Sequence, residues 1–123
     1  MKSYSDINQS RELWCFLPDD LLETADMTWS TMTLNGESKS QALDVPYCKI
    51  IENECPEFIE RIPCWSLSAL ISLYPMTIES IECEDGSKLY SCMSKKEGVL
   101  CQNFSNPVDA CYEAIKIIYN EVK

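Results

Sequence analysis

The chain has 123 residues, 46% of them hydrophobic and 24% charged, which suits one modest core and excludes a disordered, collagenous or two-domain chain. Against 10 basic side chains stand 20 acidic ones, a formal charge of -10, and there is no histidine. The missing histidine excludes Ser-His-Asp and Cys-His catalysis, His-containing zinc sites and the usual neutral-pH proton shuttle.

Ser5 and Asp6 are both competent N-caps for a first helix that carries Ile7, Leu13, Trp14 and Leu17 and stops before Pro18. Asp19, Asp20, Glu23 and Asp26 follow without a basic neighbour. Met27 to Leu34, rich in Thr, Trp and Met, reads as a strand or short hairpin ending at Asn35-Gly36, a pair suited to a type I′ turn because both tolerate positive φ. From Glu37 to Pro46 the composition turns polar, as in a surface loop. Between Lys49 and Ile62, residues Ile50, Ile51, Phe58, Ile59 and Ile62 would build a helical face with Pro56 in its first turn.

Beyond Pro63 the signals sharpen. Ser66 caps a short helix with Leu67, Leu70, Ile71 and Tyr74 on one side and Pro75 as its stop. Thr77 to Cys83 and Ser87 to Met93 flank Glu84-Asp85-Gly86, a hairpin turn, and Val99 to Phe104 adds a third strand after Lys95-Lys96-Glu97-Gly98. A last helix opens with Asn106 as cap, Pro107 at its first position and Asp109 beside the free N–H groups. Its Val108, Cys111, Ile115, Ile118 and Val122 alternate at spacings of three and four, so that stripe must bury against the strands.

The 8 cysteines contain no C-x-x-C pair, so a ribbon-type zinc site is not expected. No apolar run follows Lys2, which predicts no signal peptide and a reducing cytoplasm, where such thiols act as small buried hydrophobes. The apolar stretches Ala69 to Tyr74 and Ile115 to Tyr119 fall far short of the ~18 residues of a membrane span.

Three segments, Thr24-Ala25-Asp26-Met27, Pro63-Cys64-Trp65-Ser66-Leu67-Ser68-Ala69-Leu70 and Asn106-Pro107-Val108-Asp109-Ala110-Cys111, resemble in order a family of short uncharacterised proteins from prophages and mobile elements of anaerobic gut bacteria. In that pattern alanine is common where this chain has Cys64. The resemblance implies a setting, a bacterial cytoplasm during phage or mobile-element life, and brings no activity, cofactor or catalytic residue with it.

The acidic surface is the leading functional feature. A charge of -10 repels nucleic acid, whose affinity comes from cations displacing counterions, so direct DNA or RNA binding is not expected. A basic protein is the better partner, and the runs Glu52, Glu54, Glu57, Glu60 or Asp19, Asp20, Glu23, Asp26 would mimic phosphates if spaced like them. Carboxylates at Asp19, Asp20 and Glu23, or at Glu82, Glu84 and Asp85, are the alternatives for a hard cation or acid–base chemistry, although no EF-hand pattern is present. Cys111, near a helix start, lies on the apolar stripe, which favours burial over reactivity. With glycine only at 36, 86 and 98, no phosphate-binding glycine motif can be written. Trp65 is expected in the core, and Trp29, beside Thr28 and Ser30, at an interface.

These readings predict one α+β domain over 1–123: a three-stranded antiparallel β-meander packed against a C-terminal helix and a short central helix, with an N-terminal helix completing the core. The expected role is a non-enzymatic cytoplasmic accessory or protein-interaction module of a mobile element, with no cofactor and no metal. It would bind a host or phage protein through an acidic face of Asp19, Asp20, Glu23 and Asp26 with Trp29. The alternatives are an enzyme of unrecognised type using carboxylates and a Cys-based metal or redox switch.

Overall fold

The computed structural model describes residues 3–51 and 59–120. Asp6 rather than Ser5 caps α1 (Ile7–Phe16): its carboxylate accepts the Gln9 N–H at 2.8 Å, and the Gln9 side chain accepts the Asp6 N–H at 3.1 Å. That reciprocal box satisfies two donors the helix leaves unpaired. Ser5, relieved of capping, turns inward and is fully buried. Leu17 and Pro18 end α1, and a 3₁₀ turn, Asp19–Thr24, follows.

Two three-stranded antiparallel sheets are present where the sequence predicted one meander. The first has β1 (Met27–Leu34) at its centre between β2 (Glu37–Leu43) and β3 (Ile59–Cys64). Asn35 at φ 53 and Gly36 at φ 80 make the expected tight turn between β1 and β2. The segment from Glu37, expected as a loop, is therefore a strand as far as Leu43. Its polarity misled because β2 is an edge, largely exposed, held by pairing and by Thr31–Ser40 and Thr33–Ser38 hydroxyl bonds of 2.8 and 2.9 Å rather than by apolar burial.

The helical face expected between Lys49 and Ile62 is also corrected. Ile50 and Ile51 do lie in a helix, the short α2 (Tyr47–Ile51), but Ile59 and Ile62 belong to β3, and Pro56 and Phe58 lie outside the described residues. Pro63 sits within β3 opposite Thr28, a position open to proline because β3 is the other edge of its sheet.

After β3 the chain turns at the fully buried Trp65 into α3 (Leu67–Ser72), whose cap Ser66 accepts the Ala69 N–H at 3.2 Å. The meander itself is as predicted to within a residue or two: β4 (Thr77–Glu82), β5 (Lys88–Ser94) and β6 (Gly98–Phe104), in that order across the sheet. The pairing of β5 with β6 shifts register on both sides of Cys92.

The final helix, α4 (Pro107–Asn120), packs against β5, β6, α3 and α1. Asn106 caps it through a 2.8 Å bond to the Val108 N–H, and Asp109 accepts from the Gln9 side chain at 2.8 Å, tying α4 to α1. Val108, Cys111 and Ile115 of the predicted stripe are wholly buried together with Ala110 and Ala114, while Ile118 is half-buried and Val122 lies outside the described residues. Burial of each large aliphatic side chain stabilises by about 1.5–3 kcal/mol. The alanines let the helix approach the thiols of β5 and β6. Among the described residues no helix is long and apolar enough to cross a membrane.

Candidate functional site

The five residues expected at an interface divide into two groups. Asp19, Asp20 and Glu23 are exposed on the 3₁₀ turn, and none makes a hydrogen bond or ion pair among the described residues. Leu21 and Leu22, half-buried against the core, hold the turn so that these carboxylates point to solvent. Asp26 and Trp29 are engaged in the fold. The Asp26 carboxylate accepts the Ser66 N–H at 2.9 Å and the Ser66 hydroxyl, bracing the start of α3. Trp29 is half-buried, donates its indole N–H to the Ser5 carbonyl at 2.9 Å, and meets Tyr4 edge-on at 5.8 Å.

Trp14 is the tryptophan that faces outward, at 40% exposed. Its ring stands edge-on to Tyr47 with centroids 6.4 Å apart, and the Tyr47 N–H donates to the Ala25 carbonyl at 3.2 Å, directly after the 3₁₀ turn. Trp14, α2 and the acidic turn thus share one corner. Sequence reasoning placed Trp14 among the apolar residues of the first helix. The signal against this was present: Leu13 and Leu17 are one helical turn apart and define the buried face, and Trp14 falls about 100° away from Leu13. In the second acidic run, Glu52, Glu54 and Glu57 lie outside the described residues, and Glu60 on β3 is paired with Arg11.

Three thiols gather where β5, β6 and α4 meet. Cys92 and Cys101 are opposite one another across the strands, the Cys92 and Cys111 sulfurs are 3.9 Å apart, and the Cys101 thiol donates to the Ala110 carbonyl at 3.0 Å. At Cys92 the Cys101 thiol pulls the titration down, but the Cys111 thiol and burial outweigh it and push the value up to about 12. Cys101 is raised by its bond with Cys92 and then by burial. Cys64, behind β3, is pushed up to about 11 by burial. Cys64, Cys92 and Cys101 thus keep their protons at neutral pH. Among the described residues no group of three or more Cys, Asp or Glu side chains is arranged to hold a metal ion.

The carboxylates proposed for acid–base work do not converge. Asp85 accepts from the Ser87 hydroxyl at 2.6 Å and its N–H at 3.0 Å, contacts that hold it below the usual carboxylate range and fasten the hairpin turn. Glu82 and Glu84 are exposed. A tighter polar group closes the β5–β6 turn: Glu97 accepts from the Ser94 hydroxyl and from the Tyr74 hydroxyl at 2.7 Å, while the Ser94 oxygen accepts the Glu97 N–H at 2.8 Å. Ser94 and then Tyr74 hold Glu97 below the ordinary 4.5, and Glu97 raises Tyr74. A carboxylate so stabilised in its charged form is a poor base, so this group acts as a clamp on the turn.

No family model, curated protein or solved structure matches this chain.

Proposed function

We propose that the chain is a non-enzymatic protein-interaction module, a cytoplasmic accessory protein of a mobile element, and that it binds a basic surface of a host or phage protein. The contact is the corner formed by Asp19, Asp20, Glu23 and Trp14. The observation that carries this reading is an exposed tryptophan steadied by Tyr47 beside three solvent-facing carboxylates without hydrogen-bond or ion-pair partners among the described residues. Tryptophan is enriched among the residues that carry binding energy at interfaces, and charge around such an anchor steers encounter. The net charge of -10 favours a basic protein over nucleic acid.

The test is affinity capture of the tagged chain from its host lysate, followed by titration of the purified partner at two salt concentrations. Recovery of one basic protein, lost with Trp14→Ala and weakened by salt and by the combined Asp19→Asn, Asp20→Asn and Glu23→Gln changes, supports the reading. A partner that binds both variants as it binds the parent overturns it.

A second reading, a thiol redox switch, is favoured by the convergence of Cys92, Cys101 and Cys111. Opposed residues on antiparallel strands have Cα separations of about 4.5–5.5 Å, inside the range that a disulfide spans. Half-exposed Cys101, on losing its proton in alkaline solution, would attack a small-molecule disulfide, and Cys92 would then displace the small thiol, each released small thiol taking up a proton. The products are one Cys92–Cys101 bond and two released small thiols. Mass mapping after treatment with oxidised glutathione tests this: a linked Cys92–Cys101 peptide supports the switch, and adducts confined to Cys15 and Cys48 refute it.

A further inference from the structure

On the side of the molecule formed by the end of α3 and the β5–β6 turn, a cleft of about 510 Å³ runs between Tyr74–Thr77 and Met93–Lys96. Its volume falls within the roughly 300–1,000 Å³ of small-molecule sites. The lining is mostly carbon: Pro75, Met76 and Met93, with the thioethers able to adapt to an irregular apolar body. The cleft is also preformed, because Glu97 ties Tyr74 on one wall to Ser94 on the other. A wall already fixed loses little freedom when a ligand arrives.

Charge supplies the selectivity. In a chain with 10 basic residues against 20 acidic ones, two adjacent cations, Lys95 and Lys96, line this apolar cleft with exposed side chains. Their stems can lie along apolar surface while the ammonium groups stay in water at the mouth. Glu97 is the neighbouring carboxylate: its oxygens accept from Ser94 and Tyr74, and Lys96 lies near enough to help hold it charged, which leaves Lys95 as the freer of the two cations. Lys95 makes no hydrogen bond or ion pair among the described residues.

We infer that this cleft binds a small amphiphilic anion, an acyl or aromatic body bearing one carboxylate, sulfonate or phosphate. The apolar part lies on Met76 and Met93, and the head meets Lys95 and Lys96. The cleft shares no lining residue with the acidic corner, so, resting on that proposed contact, it would give the module a small-molecule input beside its protein contact.

The test is a titration of decanoate, below its micelle-forming concentration, into the full chain carrying ¹³C-methyl methionine, with decanol as the neutral control. Saturable shifts confined to the Met76 and Met93 methyls are expected. Decanoate affinity should fall about threefold to tenfold in the Lys95→Gln, Lys96→Gln double variant, the worth of two surface ion pairs, and should fall with salt. Both lysines lie on an exposed turn, and an unchanged methionine spectrum verifies that the variant is folded. The proposal is overturned by the absence of saturable shifts at Met76 and Met93. Equal affinity for decanol and decanoate, or uniform shifts of every methionine, would equally reject an anion site in favour of a merely apolar surface.

Discussion

The Ser5 N–H donates to the Trp65 carbonyl at 2.8 Å, and the Trp65 N–H returns a bond to the Ser5 hydroxyl at 3.1 Å. The same hydroxyl shares a 2.7 Å bond with Ser10, and the Ser5 carbonyl receives the Trp29 indole. One buried serine therefore joins the N-terminal segment, α1, β1 and the corner after β3. Replacing it with alanine leaves the Trp65 N–H without its acceptor in a site closed to water. Ser5→Ala should cost about 1–3 kcal/mol, read as a lower urea midpoint at unchanged slope. An unaltered midpoint would deny Ser5 this role.

Cys64 makes stability depend on alkaline pH. Burial, opposed by the Ser5 and Ser10 hydroxyls, raises its thiol from 9.0 to about 11 in the fold. A group that holds its proton more tightly when folded contributes fully below its unfolded value and loses that contribution as pH rises through its folded one. The window is thus pH 9 to about 11. Across it, urea midpoints should fall more steeply for the parent than for Cys64→Ala, and parallel curves would contradict the assignment.

The acidic residues should separate by role. Asp26→Ala removes the acceptor for Ser66 at the start of α3 and should cost about 0.5–2 kcal/mol, as loss of a helix cap does. The combined Asp19→Asn, Asp20→Asn, Glu23→Gln variant should stay within about 0.5 kcal/mol of the parent. Thermal unfolding measures both. A larger loss in the triple variant than at Asp26 would show that the turn is structural.

Thiol accessibility should follow burial. In the native protein a maleimide should label the exposed Cys15 and Cys48 first, whereas Cys64, Cys92 and Cys111 should react only after denaturant is added. Peptide mass mapping over time gives the order. Early labelling of Cys111 would mean that α4 does not cover it.

What the sequence disclosed follows from how local each signal is. The caps at Asn106 and Ser66, the turns at Asn35-Gly36 and Glu84-Asp85-Gly86, and the stripe of α4 from Val108 to Ile115 each rest on residues a few positions apart, and each is found in the structure. The strands β2 and β3 are recognisable only by what they pair with: β2 has the polarity of a loop, and β3 carries a proline. Likewise Trp29 and Asp26 look available until their partners Ser5 and Ser66, far away in sequence, are known. The segments 24–27 and 63–70 also meet in space. Thr24 accepts the Trp65 indole N–H at 3.0 Å, Asp26 braces Ser66, and Met27 pairs with Cys64.

The two sheets differ in how far the chain must travel to close them, and this sets an order of assembly. The second sheet and α4 are consecutive in sequence, so their contacts need only short loops. The first sheet closes by bringing β3 back to β1, and Ser5 reaches Trp65 across a separation of 60 residues. Short-range contacts form ahead of those that must first overcome the entropy of a long loop. In pulse-labelled hydrogen exchange during refolding, amides of β5 and α4 should gain protection before those of Ser5 and Trp65. The N-terminal segment then acts as a latch, fastened last over a half that is already formed.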